Sequence, residues 1–140
     1  MKPYVVSEIR RQDVFNEETQ RINHIVNKPQ PQRRVISERT SAIMRNILTD
    51  VVENGTGSKA KIKGLKYAGK TGTTIKVDSA TGNYSKGQYI SSFVAFAPTE
   101  NARICIAVVV DEPKGGYYGG DVAAPIVSNI VNRSIISLKN

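Results

Sequence analysis

The chain has 140 residues, a length that suits one domain with one core and leaves little room for a second. Its 20 Lys and Arg outnumber 12 Asp and Glu, and the resulting formal charge of +8 suits nucleic acid, a membrane surface, a carboxylate-bearing substrate or simply a solvated basic surface. The basic residues are scattered and there is no Trp beside three Phe and six Tyr, which argues against nucleic-acid binding.

The N-terminal third carries short β-leaning runs broken by polar residues, and it predicts a strand, a loop and an extended connector. His24 is the only histidine, and no Cys, Asp or Glu surrounds it in a metal-binding pattern, so neither a metal nor another cofactor is predicted. No apolar run approaches the length of a membrane span, and "MKPYVVSEIR" lacks the features of a secretory signal. A targeting segment is therefore expected only outside this sequence.

From Ser37 onward the apolar residues follow a helical period. Six of them predict one buried helix face, with Ser37 as the N-cap and Gly55 as the stop: Ile43, Met44, Ile47, Leu48, Val51 and Val52.

Three β-leaning runs follow, "KYAGKTGTTIKV", "QYISSFVAFAP" and "ARICIAVVV", joined by the turn-rich "DSATGNYSKG" and "TEN". Cys105, the single cysteine, lies in the third run and is interpreted as a small buried hydrophobe that forms no intrachain disulfide. Helical spacing returns in the last segment, with Asp121 as a candidate N-cap and Pro125 tolerable only near the first turn. The sequence thus predicts an α+β fold in which helices flank an antiparallel sheet.

The octapeptide "GLKYAGKT", Gly64–Thr71, fits two kinds of enzyme. It matches the phosphate loop G-x-x-x-x-G-K-[ST], and the later "IAVVVD" resembles the strand whose Asp holds magnesium in such proteins. A phosphate loop, however, leaves a buried strand and opens into a helix. Here the preceding "SKAKIK" is too charged for a buried strand, and the β-branched residues and turn in "GTTIKVDSATG" oppose a helix.

When the window is extended two residues past Thr71, it contains K-T-G-T, residues 70–73, a motif of acyl-transfer enzymes. On a strand, Thr71 and Thr73 share one face, and Lys70 and Gly72 share the other. Paired hydroxyls can hold a carboxylate, and a nearby lysine adds positive potential. Free amides of an edge strand can also face an oxyanion. In this interpretation Gly64 and Gly69 have no role of their own and are incidental spacing residues.

The blocks "RRVISERTSAIMRNILTDVVENGTGSKA", "AGKTGTT", "SSFVAFAP", "ICIAVVVDEP" and "GGYYGGDVAAPIV" stand in an order that resembles the C-terminal part of the transpeptidase domain of class B penicillin-binding proteins. The tail "GYYGGDVAAP" is most similar to the cell-division (FtsI-like) type. The resemblance covers nearly the whole chain, so residues 1–140 are expected to be one part of such a domain. The nucleophile-bearing part and the membrane anchor are expected to lie outside it.

The resemblance implies a role for each residue of the K-T-G-T motif. Lys70 would tune the electrostatics of the catalytic cluster, and the Thr71 and Thr73 hydroxyls would bind the terminal carboxylate of a D-Ala-D-Ala stem peptide or of a β-lactam. Gly72 would belong to the same substrate-binding strand, and the Thr73 backbone N–H would be an oxyanion donor. Three aromatic residues stand where division-type relatives place aromatics around the ligand: Tyr89, Tyr117 and Tyr118. The last two lie in a Gly-rich loop, where packing explains them equally well.

The family also requires a nucleophilic serine in S-x-x-K and an S-x-N motif. The chain contains no S-x-N, and its one S-x-x-K match, Ser58–Lys61, lies C-terminal to the family position and is interpreted as a decoy. The chain alone is therefore expected not to acylate.

The resemblance further implies a membrane-anchored parent enzyme that cross-links septal peptidoglycan on the periplasmic or extracellular side. Its expected partners are the rest of its own domain and divisome membrane proteins. Two alternatives stay open, a nucleotide-binding protein that uses Gly64–Thr71, and a non-catalytic module with the penicillin-binding fold.

Overall fold

The computed structural model describes residues 8–14, 20–26, 28 and 30–137, and the chain divides into two compact units, residues 1–37 and 38–140. In the first unit, β1 (Glu8–Val14) and β2 (Gln20–Val26) pair antiparallel. His24 lies in β2 opposite Arg10. A two-stranded ribbon thus occupies the region for which one strand was predicted, and residues 30–37 contain no helix or strand.

The second unit is a three-stranded antiparallel sheet with a helix before it and a helix after it. Its strand order is β3-β4-β5, so β3 and β5 are the outer strands of the sheet as described. The predicted α+β class is confirmed. In chain order, the elements are α1 (Glu38–Glu53), a 3-10 helix (Ser58–Ala60), β3 (Ala68–Val77), β4 (Tyr84–Ala97), β5 (Ile104–Asp111) and α2 (Gly119–Ser137).

Two element boundaries differ from the prediction. β4 begins at Tyr84, inside the stretch interpreted as a joint, and the β3–β4 register shifts between Ile75 and Val77. α2 begins at Gly119, two residues before the predicted N-cap Asp121, which therefore lies in the first turn. Pro125 consequently lies inside the helix, where its ring cannot donate the usual backbone hydrogen bond.

The core lies between the sheet and both helices. Its largest fully buried side chains include those of Tyr67, Phe93, Val52, Val127 and Val131. The Phe93 ring packs against two glycines, because a Cβ on Gly69 would lie 2.5 Å from its Cε1 atom and one on Gly57 2.9 Å from its Cε2 atom. The interpretation of Gly69 as incidental spacing was therefore wrong, since the ring of Phe93 occupies the space of a side chain there.

Tyr67 is fully buried just before β3, and its hydroxyl donates a hydrogen bond to the Ala60 carbonyl. Burial raises the pKa of Tyr67 to about 12, against an opposing hydrogen bond with Ser128. The phenol is thus held neutral and ties the 3-10 helix to the start of β3.

Two predictions about burial were wrong. On α1, Val52 is buried, but Ile43, Met44 and Ile47 are 49%, 41% and 51% exposed. The apolar stripe of the helix is wider than its contact with the sheet, so helical periodicity overestimates the core. Cys105 is exposed because burial alternates along β5 and the cysteine falls on the open side of the strand.

Within the described residues, neither helix is long and apolar enough to cross a membrane.

Candidate functional site

The K-T-G-T motif lies near the start of β3, an outer strand of the sheet, and pairs on one side only. Lys70, Thr71, Gly72 and Thr73 stand opposite Val94, Phe93, Ser92 and Ser91 of β4. The other edge of β3 has no partner strand in the described part of the chain, so alternate backbone amides face outward there. This is the edge-strand arrangement that was considered for the motif from its sequence.

The hydroxyls of Thr71 and Thr73 lie on the same side of the sheet. Thr71 Oγ1 is 2.9 Å from Thr56 Oγ1, and Thr73 Oγ1 accepts a 3.0 Å hydrogen bond from the Gly119 backbone N–H. Thr56 and α2 lie together there, because a Cβ on Gly120 would overlap the Thr56 carbonyl oxygen and lie 3.6 Å from Thr71 Cγ2. The alternation expected from strand period therefore places both hydroxyls on the same face of β3.

Gly72 lies between these threonines and faces the opposite side. A Cβ there would lie 2.5 Å from Ser92 Oγ, so any side chain at position 72 would displace that hydroxyl. Lys70 is exposed, and its Nζ donates a 2.9 Å hydrogen bond to the Thr71 carbonyl and lies 3.5 Å from Thr71 Oγ1. A positive charge thus stands beside the first hydroxyl of the pair.

Three tyrosines predicted from the sequence form one cluster near the Thr73 end of the motif. The rings of Tyr89 and Tyr117 stack at 4.3 Å, and those of Tyr117 and Tyr118 meet at 4.4 Å. The Tyr117 hydroxyl donates to that of Tyr118 at 3.2 Å, and the pKa of Tyr117 is raised, chiefly by this hydrogen bond. Ser91, which is opposite Thr73, donates to the Tyr117 carbonyl and links the cluster to the motif.

The S-x-x-K match is not arranged as a catalytic pair. Ser58 begins the 3-10 helix and is exposed, while Lys61 Nζ makes a 2.5 Å salt bridge with Glu53. A lysine that serves as a base must instead be free to take the proton of the serine.

The phosphate-loop interpretation was wrong. Thr71 is followed by six more strand residues, up to Val77, where a phosphate loop would open into a helix. The amides that would cradle a phosphate at a helix N-terminus are therefore committed to a β-strand.

Sequence reasoning missed three contacts of this site, those of Thr56, Ser91 and Gly119. None belongs to the K-T-G-T motif, although all three lie in the longer blocks that carry the family resemblance, and each is distant in sequence from the threonine or tyrosine it contacts. The one available signal was the glycine pair Gly119–Gly120 ahead of an apolar helix, because adjacent glycines at a helix start indicate close backbone approach.

A cleft of about 480 Å³ lies elsewhere in this unit, between the C-terminal half of α1 and the segment after β4. Asp50, Glu53, Lys66 and Glu100 line it, and no residue of the K-T-G-T motif does. Within the described ranges, no group of three or more His, Cys, Asp or Glu is placed to hold a metal ion. The motif and the tyrosine cluster therefore define the candidate site, which is an open edge and not a closed pocket.

Comparison with known proteins decides the family. The sequence model of the penicillin-binding protein transpeptidase domain matches residues 1–132. The chain belongs to the penicillin-binding transpeptidase family. Stage V sporulation protein D of Bacillus subtilis is 44% identical over 111 residues, which are 79% of this chain and 17% of that protein. A peptidoglycan D,D-transpeptidase FtsI homolog of Chlorokybus atmophyticus is 40% identical over 117 residues, or 83% of this chain and 17% of that protein.

Solved penicillin-binding proteins share the fold. The transpeptidase domain of Burkholderia pseudomallei penicillin-binding protein 3 matches with a TM-score of 0.69 and 39% identity, over 82% of this chain and 35% of that one. Penicillin-binding protein 3 from Mycobacterium tuberculosis, complexed with aztreonam, matches with a TM-score of 0.73 and 29% identity, over 84% and 28%. The class B, FtsI-like resemblance is thereby confirmed, and the chain spans only about a sixth of the curated relatives it matches.

Proposed function

We propose that this chain is the C-terminal part of the transpeptidase domain of a peptidoglycan D,D-transpeptidase, and that it supplies the strand that binds the substrate carboxylate. The observation that carries the proposal is the placement of the Thr71 and Thr73 hydroxyls on one face of an outer strand, with the Lys70 ammonium 3.5 Å from that of Thr71. A stem peptide ending in D-Ala-D-Ala presents a carboxylate, and hydroxyls with a nearby ammonium are suited to bind it.

The reaction requires a serine from outside this chain. That serine attacks the D-Ala-D-Ala carbonyl, releases the last D-Ala and forms an acyl-enzyme, which an amine of a neighbouring strand then resolves. Lys70 stabilises negative charge at the carboxylate and in the catalytic cluster, and the Thr73 backbone N–H donates to the oxyanion. The three tyrosines flank the acyl group, and a β-lactam, which carries a similar carboxylate, enters the same site. The related protein solved with aztreonam supports this ligand class.

The family membership supports a proposed cellular setting. The parent protein is anchored in the bacterial cytoplasmic membrane with this domain on the periplasmic or extracellular side, and it acts with divisome membrane proteins in septal synthesis. Its FtsI-named relatives support the division type. The exposed Ile43, Met44 and Ile47 of α1 pack against the rest of the same domain, because a stripe of three large apolar side chains is stabilised by burial.

Covalent labelling tests the proposal. The full-length protein is incubated with fluorescent penicillin, and a labelled band stable to denaturation is expected. Lys70→Met should lower the acylation rate about 10- to 100-fold, because it removes a charge-assisted contact to the carboxylate. Lys63→Met is the matched control, since Lys63 is an exposed lysine in the turn before β3, and it should leave the rate unchanged.

The 140-residue chain alone should take no label. A covalent adduct on it, above all at Ser58, would contradict the assignment of the nucleophile to another segment. A full-length protein that takes no label would instead favour the non-catalytic module.

A further inference from the structure

The hydroxyls of Thr71 and Thr73 must act as donors if they are to bind a carboxylate. A threonine hydroxyl has one proton and two lone pairs, whereas a carboxylate only accepts. Each hydroxyl therefore has to direct its single proton at the ligand, and this direction is favoured when another group already donates to its oxygen.

Such a donor is visible behind Thr73. The Gly119 backbone N–H donates to Thr73 Oγ1 at 3.0 Å, and an amide N–H cannot accept in return. The Thr73 proton is therefore left for an outside acceptor. Thr71 has no backbone donor of this kind among its described contacts, and the group closest to its oxygen is the Thr56 hydroxyl at 2.9 Å.

Thr56 is fixed by its own surroundings. The Gly55 and Gly57 backbone N–H groups donate to Asp50 and Val51 carbonyls at 3.1 and 2.9 Å, which fastens the loop to the end of α1. A Cβ on Gly120 would overlap the Thr56 carbonyl oxygen, so the start of α2 packs directly against the loop. The Thr56 hydroxyl is thus presented to Thr71 by a segment held at both ends.

We propose that Thr56 is a positioning residue for substrate carboxylate binding, which donates to Thr71 Oγ1 and so directs the Thr71 proton at the ligand. The inference rests on the proposed function and adds to it a residue outside the K-T-G-T motif. Lys70 Nζ, 3.5 Å from the same oxygen, is a second donor and reinforces the direction. Thr56 touches no reacting atom and acts only through Thr71.

The test compares a charged ligand with a neutral one in the full-length protein. The probes are benzylpenicillin and its methyl ester, which lacks the carboxylate charge, and intact-protein mass spectrometry measures the acylation rate for each. Thr56→Val keeps the shape of the side chain without its hydroxyl, and it should slow acylation by benzylpenicillin about three- to tenfold, the equivalent of one net hydrogen bond. Acylation by the ester should change by less than about twofold.

Thr56→Ser restores the hydroxyl and should recover the benzylpenicillin rate. The matched control is Thr49→Val, which breaks another hydroxyl pair, Thr49 with Thr99 at 3.3 Å, in the cleft beside α1 and should leave both rates unchanged. Thr56→Ala, which removes the hydroxyl without adding a methyl group, should repeat the Thr56→Val result.

Three outcomes would overturn the inference: unchanged rates in Thr56→Val, equal loss with both ligands, or no recovery in Thr56→Ser. Each of these can be recognised only if the wild-type protein is acylated. A wild-type protein that forms no adduct contradicts the proposed function itself, so the two failures are distinguishable.

Discussion

Gly119→Ala tests whether the start of α2 has to touch the sheet at the candidate site. A Cβ at position 119 would overlap the carbonyl oxygens of Ser92 and Gly72 and lie 3.2 Å from the Gly72 nitrogen. All three are backbone atoms, which cannot rotate away as a side chain can. The helix start therefore has to move off β3 and β4, and the hydrogen bond from the Gly119 N–H to Thr73 is lost with it.

The magnitude follows from these two effects and one opposing one. Inserting a methyl group into a packed contact costs about 1–3 kcal/mol, and losing the hydrogen bond costs about 1 kcal/mol. Alanine has a better helix propensity than glycine by up to about 1 kcal/mol, which offsets part of the loss. A net destabilisation of about 2 kcal/mol should lower the melting temperature of a chain this size by about 6 °C.

Thermal unfolding of the 140-residue chain, followed by circular dichroism, measures the effect. Gly116→Ala is the matched control from the same loop, because a Cβ there meets only Val122 Cγ2 at 3.8 Å, an ordinary van der Waals contact. The control should melt within about 2 °C of the wild type. If Gly119→Ala melts with the control, the close approach of α2 to the motif is not a constraint, and the reasoning fails.

Two further predictions concern Tyr67 and Cys105. Burial raises the pKa of Tyr67 to about 12 from an ordinary 10.0. The neutral phenol should therefore make its full contribution to the free energy of unfolding below pH 10. The free energy of unfolding should fall by about 2 kcal/mol as the pH rises from 10 to 12. Urea titrations at both pH values should show this fall in the wild type and not in Tyr67→Phe; equal falls would contradict it. Cys105 is exposed, so a thiol reagent should titrate one thiol per native chain, and reaction only after unfolding would refute its placement.

The sequence predicted the parts of the fold that depend on local pattern. The helical period after Ser37 and the alternation around Lys70 specify α1 and β3, and both elements appear where expected. The face shared by Thr71 and Thr73 follows from the period of a strand, which tertiary contacts do not change. The order of the elements then limits the sheet to a meander.

Other features depend on contacts between distant segments, which local pattern does not contain. Ile43 and Cys105 lie among apolar residues, yet both are exposed. Burial depends on whether another segment of the folded chain packs against a side chain. Thr56 is 15 residues from Thr71 in sequence and lies outside the K-T-G-T motif, so only the folded chain brings their hydroxyls together. In the same way, the sequence shows a glycine at position 119 but does not reveal that its backbone N–H donates to Thr73 Oγ1.

The contact between Phe93 and Gly69 has a consequence for comparing sequences. Gly69 is the glycine that completes the false nucleotide-binding pattern, and the aromatic ring of β4 is what requires it. Positions 69 and 93 should therefore vary together: a smaller side chain at 93 removes the closest obstacle to alanine at 69, leaving the Val94 carbonyl oxygen at 3.0 Å, and a chain with that alanine loses the pattern. A search for phosphate-binding loops would detect or miss such relatives according to the size of a residue 24 positions away, with no change in chemistry.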